Sequence, residues 1–173
     1  MNKDLLGKAI RTIPDFPKPG IQFKDITTLL HNTEAYNYSI DLFQQQFEES
    51  NLDVVVGIES RGFIFAGPLA LRLGIPMSIA RKPGKLPGEL ISAEYDLEYG
   101  TDTIEMHTDS VKSGDRVLIM DDLLATGGTA GAVGRLVSQL GGEIVSYSFL
   151  INLSFLNGSN VLHPENVHSI LEY

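Results

Sequence analysis

An α/β fold with a central, mostly parallel sheet flanked by helices is the architecture this sequence predicts. Two observations carry that expectation. Short, near-continuous apolar runs recur along the chain, the pattern of strands covered on both faces. Between them lie stretches whose apolar residues repeat at helical spacing, so strands and helices alternate. The length, 173 residues, suits one domain spanning 1–173 and a core of its own.

The strands are "DVVVGI" (Asp53–Ile58), "IPMSIA" (Ile75–Ala80), "RVLIM" (Arg116–Met120) and "EIVSYSFLIN" (Glu143–Asn152), with "VHSILEY" at the C-terminus as a last one. A helix begins at Thr33, read as its N-cap, and presents Tyr36, Ile40, Phe43 and Phe47 on one face. "GFIFAGPLALRLG" (Gly62–Gly74) is apolar nearly all round and reads as a buried helix, with Pro68 in its first turn or kinking it. Val133, Leu136, Val137 and Leu140 form a further stripe that stops at Gly141 and Gly142.

Two stretches leave the alternation. "IPDFPKPGIQF" (Ile13–Phe23) carries three prolines and reads as ordered but irregular. In "KPGKLPGELISAEYDLEYGTDTIEMH" (Lys82–His107), "ELISAEYDLEY" and "TDTIEMH" read as the arms of an exposed hairpin, placed as a functional lid would be.

Composition narrows the function. The formal net charge is -9, which argues against a nucleic-acid partner and against anionic membrane surfaces. Cysteine is absent, which removes thiolate nucleophiles, thiolate metal sites and disulfides. No run approaches a membrane span, and the start lacks a signal-peptide core, so a cytoplasmic location is expected. His31, His107, His163 and His168 show no metal-ligand spacing and read as structural or surface residues.

The chemistry concentrates in "VLIMDDLLATGGTA" (Val117–Ala130). Asp121 and Asp122 fall where the third strand should end, and ligands of parallel sheets bind beyond such ends. The small residues Ala125, Thr126, Gly127, Gly128 and Thr129 then lead into a helix. They let backbone N–H groups approach an anion, and the helix terminus and two hydroxyls add to its attraction. The spacing matches neither a P-loop nor a dinucleotide fingerprint. Acids just before an anion loop suit a sugar phosphate: phosphate in the loop, hydroxyls or a developing positive charge against the carboxylates.

That stretch resembles the signature of the type I phosphoribosyltransferases for 5-phosphoribosyl 1-pyrophosphate. "IPDFPKPGIQFKDIT", "GIESRGFIF", "RKPGKLP" and "LEYGTDTIEMH" resemble, in the same order, the adenine-using members of that family. The resemblance implies the type I fold with an N-terminal base-covering hood (about 1–30) and a mobile hairpin (about 82–107). It implies transfer of the phosphoribosyl group to adenine, giving AMP and pyrophosphate with Mg²⁺, in a homodimer. It puts Asp121 and Asp122 on the ribose hydroxyls, with Mg²⁺ held mainly by substrate oxygens, and Ala125 to Thr129 on the 5-phosphate. Ser60, Arg61, Arg81, Lys82 and Lys85 would serve the pyrophosphate, Arg61 also in catalysis. Phe23, Lys24 and Tyr99 would border the base, and Glu98 would handle its proton. Gln22, Lys24, Thr28, Asn152 and Ser159 depart from the common family pattern.

Alternatives remain at this level. A 6-oxopurine acceptor would call for a Lys aimed at the oxo group, and no Lys follows Lys112. A ligand-sensing regulator would need a DNA-binding element that neither length nor charge provides. A dehydrogenase would need GxGxxG.

Overall fold

The computed structural model describes residues 3–96, 100–163 and 166–173, with the side chains of Lys3 and Asp4 left aside. Five parallel strands form the central sheet: β3 (Val54–Ile58), β4 (Met77–Ala80), β7 (Arg116–Leu124), β8 (Glu143–Asn152) and β9 (Val167–Glu172). Their spatial order is β4-β3-β7-β8-β9. The chain leaves β3 for β4 on one side and returns to β7 on the other, so the topology reverses at the carboxyl ends of β3 and β7. That is where parallel α/β sheets bind ligands.

Both faces of the sheet are buried, which explains the near-continuous apolar runs. Val54, Val56, Ile58, Val117 and Ile119 point into one core with Ala132, Val133 and Leu136 of α5 (Gly128–Gln139). Val55, Leu118 and Met120 point into the other core, with Leu6 of α1 (Lys3–Ala9), Leu29 of α2 (Thr27–Leu30), Ile40 and Phe43 of α3 (Thr33–Phe47), and Phe65 and Leu69 of α4 (Phe63–Leu73). Burying each large aliphatic side chain contributes about 1.5–3 kcal/mol.

Two antiparallel hairpins flank the sheet. β1 (Arg11–Pro14) pairs with β2 (Gln22–Asp25), so the stretch expected to be irregular throughout has strand pairing at its two ends. Its prolines are compatible with this: Pro14 is the last strand residue, and Pro17 and Pro19 sit in the connection. Thr28 locks the hairpin to α1, accepting from Arg11 N at 3.2 Å and donating to Ala9 O at 2.6 Å. A proline there could do neither. β5 (Leu90–Asp96) and β6 (Thr101–His107) form the expected second hairpin, and β5 lies against α5.

Two local expectations are corrected, and for Pro68 the first-turn alternative falls away. Asn32, not Thr33, caps α3: its side chain accepts from Ala35 N at 3.1 Å, because the extended backbone sits one residue earlier. Pro68 lies in the second turn of α4 and leaves the Ile64 carbonyl without its helical donor. The Tyr36 hydroxyl donates to that carbonyl at 2.6 Å. Finally, α4 is not buried all round, since Leu71 is 83% exposed.

Candidate functional site

The third core strand does not end at the aspartates. β7 continues to Leu124, so Asp121 and Asp122 are strand residues, held by pairing with β8. Asp122 is 4% exposed, and its Oδ2 stands 3.0 Å from Arg61 Nε as an ion pair. That oxygen has no hydrogen-bond partner among the described residues. Asp121 Oδ1 accepts from Asp122 N at 2.8 Å. Burial, together with the neighbouring negative charge of Asp122, pushes the Asp121 carboxyl well above the usual range. Burial also raises Asp122, while Arg61 pulls it back. Two adjacent carboxylates, with Arg61 paired to Asp122 as the neighbouring cation, favour a ligand that brings hydroxyl donors or positive charge.

Arg61 follows β3 in the turn before α4. Gly62 lets that turn approach the sheet: a Cβ there would lie 2.5 Å from Ile58 O and 2.9 Å from Asp121 Oδ1. The Arg61 guanidinium also lies over Phe23, 5.5 Å from the ring centroid, and Phe23 meets Phe16 edge-on at 5.1 Å. A continuous contact thus runs from the β1–β2 hairpin through Arg61 to Asp122.

The Ala125–Thr129 loop turns into α5 at Gly127, whose φ is +82°. It bounds a cleft of about 90 Å³ lined by Asp121, Ala125, Gly127, Thr129 and Phe149 among others. Gly158 backs the loop: a Cβ on Gly127 would lie 2.2 Å from Gly158 O, and one on Gly158 would lie 2.1 Å from Ala125 O. A larger cleft of about 390 Å³ opens between this loop and β5, bordered by Glu94, Tyr95, Thr126 and Arg135. Arg135 donates to Glu94 O at 2.6 Å, tying α5 to the hairpin.

The remaining cations sit after β4. Arg81 and Lys85 both pair with Glu59, the residue that follows β3. Lys82 Nζ is engaged elsewhere, by Asp102 and the Tyr95 hydroxyl of the β5–β6 hairpin. Those contacts raise the Lys82 ammonium above its usual range against the opposing effect of burial. Lys82 is therefore a tie to the hairpin before it is a free charge. Lys24, expected to border the base largely through its backbone, has its Nζ 3.7 Å above the Tyr173 ring, donating to Thr12 Oγ1 at 3.1 Å. What Lys24 can offer a base is its backbone.

Arg61, Asp121, Asp122, Phe23 and the Ala125–Thr129 loop are brought together, with Ser60 exposed beside them. Glu98 and Tyr99 lie outside the described residues. Glu59, Phe16 and Gly158 went unremarked in the sequence. The signal for Glu59 was an acid directly before Ser60 and Arg61 at a strand end.

Comparison with known proteins bears on this geometry. The phosphoribosyl transferase domain family matches residues 25–164. An adenine phosphoribosyltransferase of Alkaliphilus metalliredigens is 54% identical over 168 residues, covering 97% of this chain and 99% of the relative. The crystal structure of adenine phosphoribosyltransferase from Thermoanaerobacter pseudethanolicus is 48% identical, with TM-score 0.96 over 99% of this chain and 100% of that one. The Saccharomyces cerevisiae enzyme, crystallised with an imino-altritol bisphosphate and adenine, is 40% identical with TM-score 0.93 over 98% of both chains. The chain thus belongs to the adenine phosphoribosyltransferases, within the phosphoribosyl transferase domain family.

Proposed function

We propose the following division of labour for this family's reaction, in which the 5-phosphoribosyl group passes from 5-phosphoribosyl 1-pyrophosphate to adenine, giving AMP and pyrophosphate. The observation that carries it is the adjacent Asp121–Asp122 pair, the first half-buried and the second buried, set one short loop from the Gly127 cleft. The amides and hydroxyls from Ala125 to Thr129 hold the 5-phosphate, and the aspartates accept from the ribose hydroxyls. As the C1–O bond to pyrophosphate breaks, positive charge grows on the sugar and negative charge on the leaving group. The aspartates stabilise the first. Arg61, Ser60, Arg81 and Lys85 stabilise the second, with Lys82 as the link to the hairpin. C1 then bonds to N9 of adenine, whose proton leaves. Glu98 takes that role by resemblance, with Phe23, the Lys24 backbone and Tyr99 around the ring.

Mg²⁺ fits this donor set. Among the described residues no three acidic or histidine side chains gather to cage a metal unaided. The aspartate pair, with one buried oxygen lacking a hydrogen bond, suits a cation otherwise coordinated by substrate. Such an ion would neutralise charge building on the pyrophosphate oxygens.

We further infer a cytoplasmic homodimer, each protomer one domain over 1–173 with its hood at about 1–30 and its lid at about 82–107. Exposed Leu71 on α4 and Phe16 on the hood supply apolar surface for the subunit contact. No helix among the described residues is long and apolar enough to cross a membrane. No nucleic-acid partner is involved.

The test is pyrophosphate release from 5-phosphoribosyl 1-pyrophosphate and Mg²⁺ with a panel of bases. Adenine is the expected acceptor, and turnover of hypoxanthine or guanine in its place would overturn the assignment of the base.

A further inference from the structure

Glu59 lies where β3 gives way to the Ser60–Arg61 turn, yet it contacts none of the groups assigned above to ribose, base or 5-phosphate. Its side chain is 7% exposed and both carboxylate oxygens are occupied. Oε1 accepts from Lys85 Nζ and, at 3.4 Å, from an Arg81 guanidinium nitrogen. Oε2 accepts from the backbone N–H of Lys82 at 2.8 Å and stands 3.4 Å from Arg81 Nε. Its own backbone N–H donates to Ala80 O at 2.9 Å, which extends the β3–β4 pairing and fixes where the carboxylate sits. Arg81 NH1 in turn donates to Lys85 O at 3.2 Å. One buried carboxylate thereby gathers the start, the middle and the end of the Arg81–Lys85 turn.

Burial alone would raise the Glu59 carboxyl. Lys85, the Lys82 amide and Arg81 outweigh it and hold the group below the usual range, so it stays ionised at neutral pH. An anion fixed beside a site for another anion is costly unless it does something else. Long lysine and arginine side chains are floppy, and cations left to wander would have to be ordered anew in each transition state.

We propose that Glu59 is the positioning residue of the pyrophosphate side, holding Arg81 and Lys85 where the departing group develops its charge. The inference rests on the assignment of this turn to pyrophosphate. Its distinctive consequence is a sign. If summed charge were all that mattered, removing a carboxylate next to an anion site would tighten pyrophosphate binding. If position matters more, removing it weakens binding although the site becomes more positive. In Glu59→Gln one end of the amide is a donor turned toward cations, so the pairing is lost with little change of shape.

The experiment measures binding of inorganic pyrophosphate with Mg²⁺ to the wild type, Glu59→Gln, Glu59→Asp, Lys85→Met and the Gln/Met double variant, by calorimetry. Turnover and melting temperature are followed in parallel. Glu59→Gln should weaken binding about tenfold or more and raise the KM for 5-phosphoribosyl 1-pyrophosphate while leaving the KM for adenine unchanged. Glu59→Asp, which keeps the charge, should recover much of that loss, and Glu59→Gln with Lys85→Met should cost less than the sum of the two because they share the Glu59–Lys85 contact. Unchanged or tighter binding in Glu59→Gln would overturn the proposal and leave the transferase reading intact. So would loss that merely follows melting temperature across all substrates. Failure of the wild type to bind pyrophosphate would remove the site itself, and turnover with a base other than adenine would revise the base assignment alone.

Discussion

Gly127→Ala is the sharpest perturbation of the anion loop. Gly127 has φ +82°, and a Cβ there would lie 2.2 Å from Gly158 O and 2.6 Å from Val161 Cγ2. A carbon–oxygen contact relaxes at about 3.3 Å, so the loop or its backing must give by roughly 1 Å. The left-handed backbone adds about 1–2 kcal/mol for a residue with a Cβ, and overpacking a further 1–3 kcal/mol. At roughly 2–4 °C per kcal/mol for a chain of this length, melting should fall by about 4–20 °C. If this loop seats the phosphate as proposed, a displacement near 1 Å costs about 10²-fold in rate. The assay pairs thermal melting with steady-state kinetics on both substrates below the melting range. kcat/KM for 5-phosphoribosyl 1-pyrophosphate should drop about 10²-fold. Gly158→Ala imposes the same clash from behind, 2.1 Å from Ala125 O, without a positive φ. It should reproduce the kinetic defect with a smaller stability loss. Wild-type kcat/KM in both variants, with melting lowered as calculated, would refute the loop as the phosphate anchor.

Further predictions test other links. Tyr36→Phe removes the donor to the Ile64 carbonyl that Pro68 cannot serve, so stability should fall by about 1–3 kcal/mol in chemical denaturation while kcat/KM holds. Asp25, held down to about 2 by Arg11 and the Thr27 amide, has a folded value below its usual 3.8. Its contribution is therefore present above that usual value and lost as pH falls through about 2. With Arg11 57% exposed, screening limits it to about 1 kcal/mol, which Asp25→Asn should remove from the acid limb of a stability–pH curve. Asp121, raised by burial and by Asp122, has the opposite sign: its ionisation works against the fold as pH rises. Asp121→Asn should then be more stable than the wild type at neutral pH, by about 1 kcal/mol in chemical denaturation, with the difference shrinking on acidification and turnover lost.

That last expectation bears on why part of this protein can be read from its sequence. The anion loop and the paired acids are local in the chain, so small residues, acids and a following helix suffice to announce them. The sheet was legible for a related reason. Residues such as Val55 and Val56 are buried on opposite faces, and two-sided burial leaves an unbroken apolar run. What escaped was built from partners far apart. Tyr36 answers a carbonyl 28 residues on, Glu59 collects Lys85 from 26 residues on, and Gly158 backs a loop that precedes it in the chain by some thirty positions. None of these has a sequence period. Each exists because the fold first brought two loops to the same end of the sheet. The aspartates belong to both classes. Their identity is local, but the burial that unsettles their charge is made by Arg61, the β7–β8 pairing and the anion loop together. The role proposed for them on a cationic sugar asks that the carboxylates be held where they are uncomfortable without the ligand. Only the assembled fold shows that discomfort.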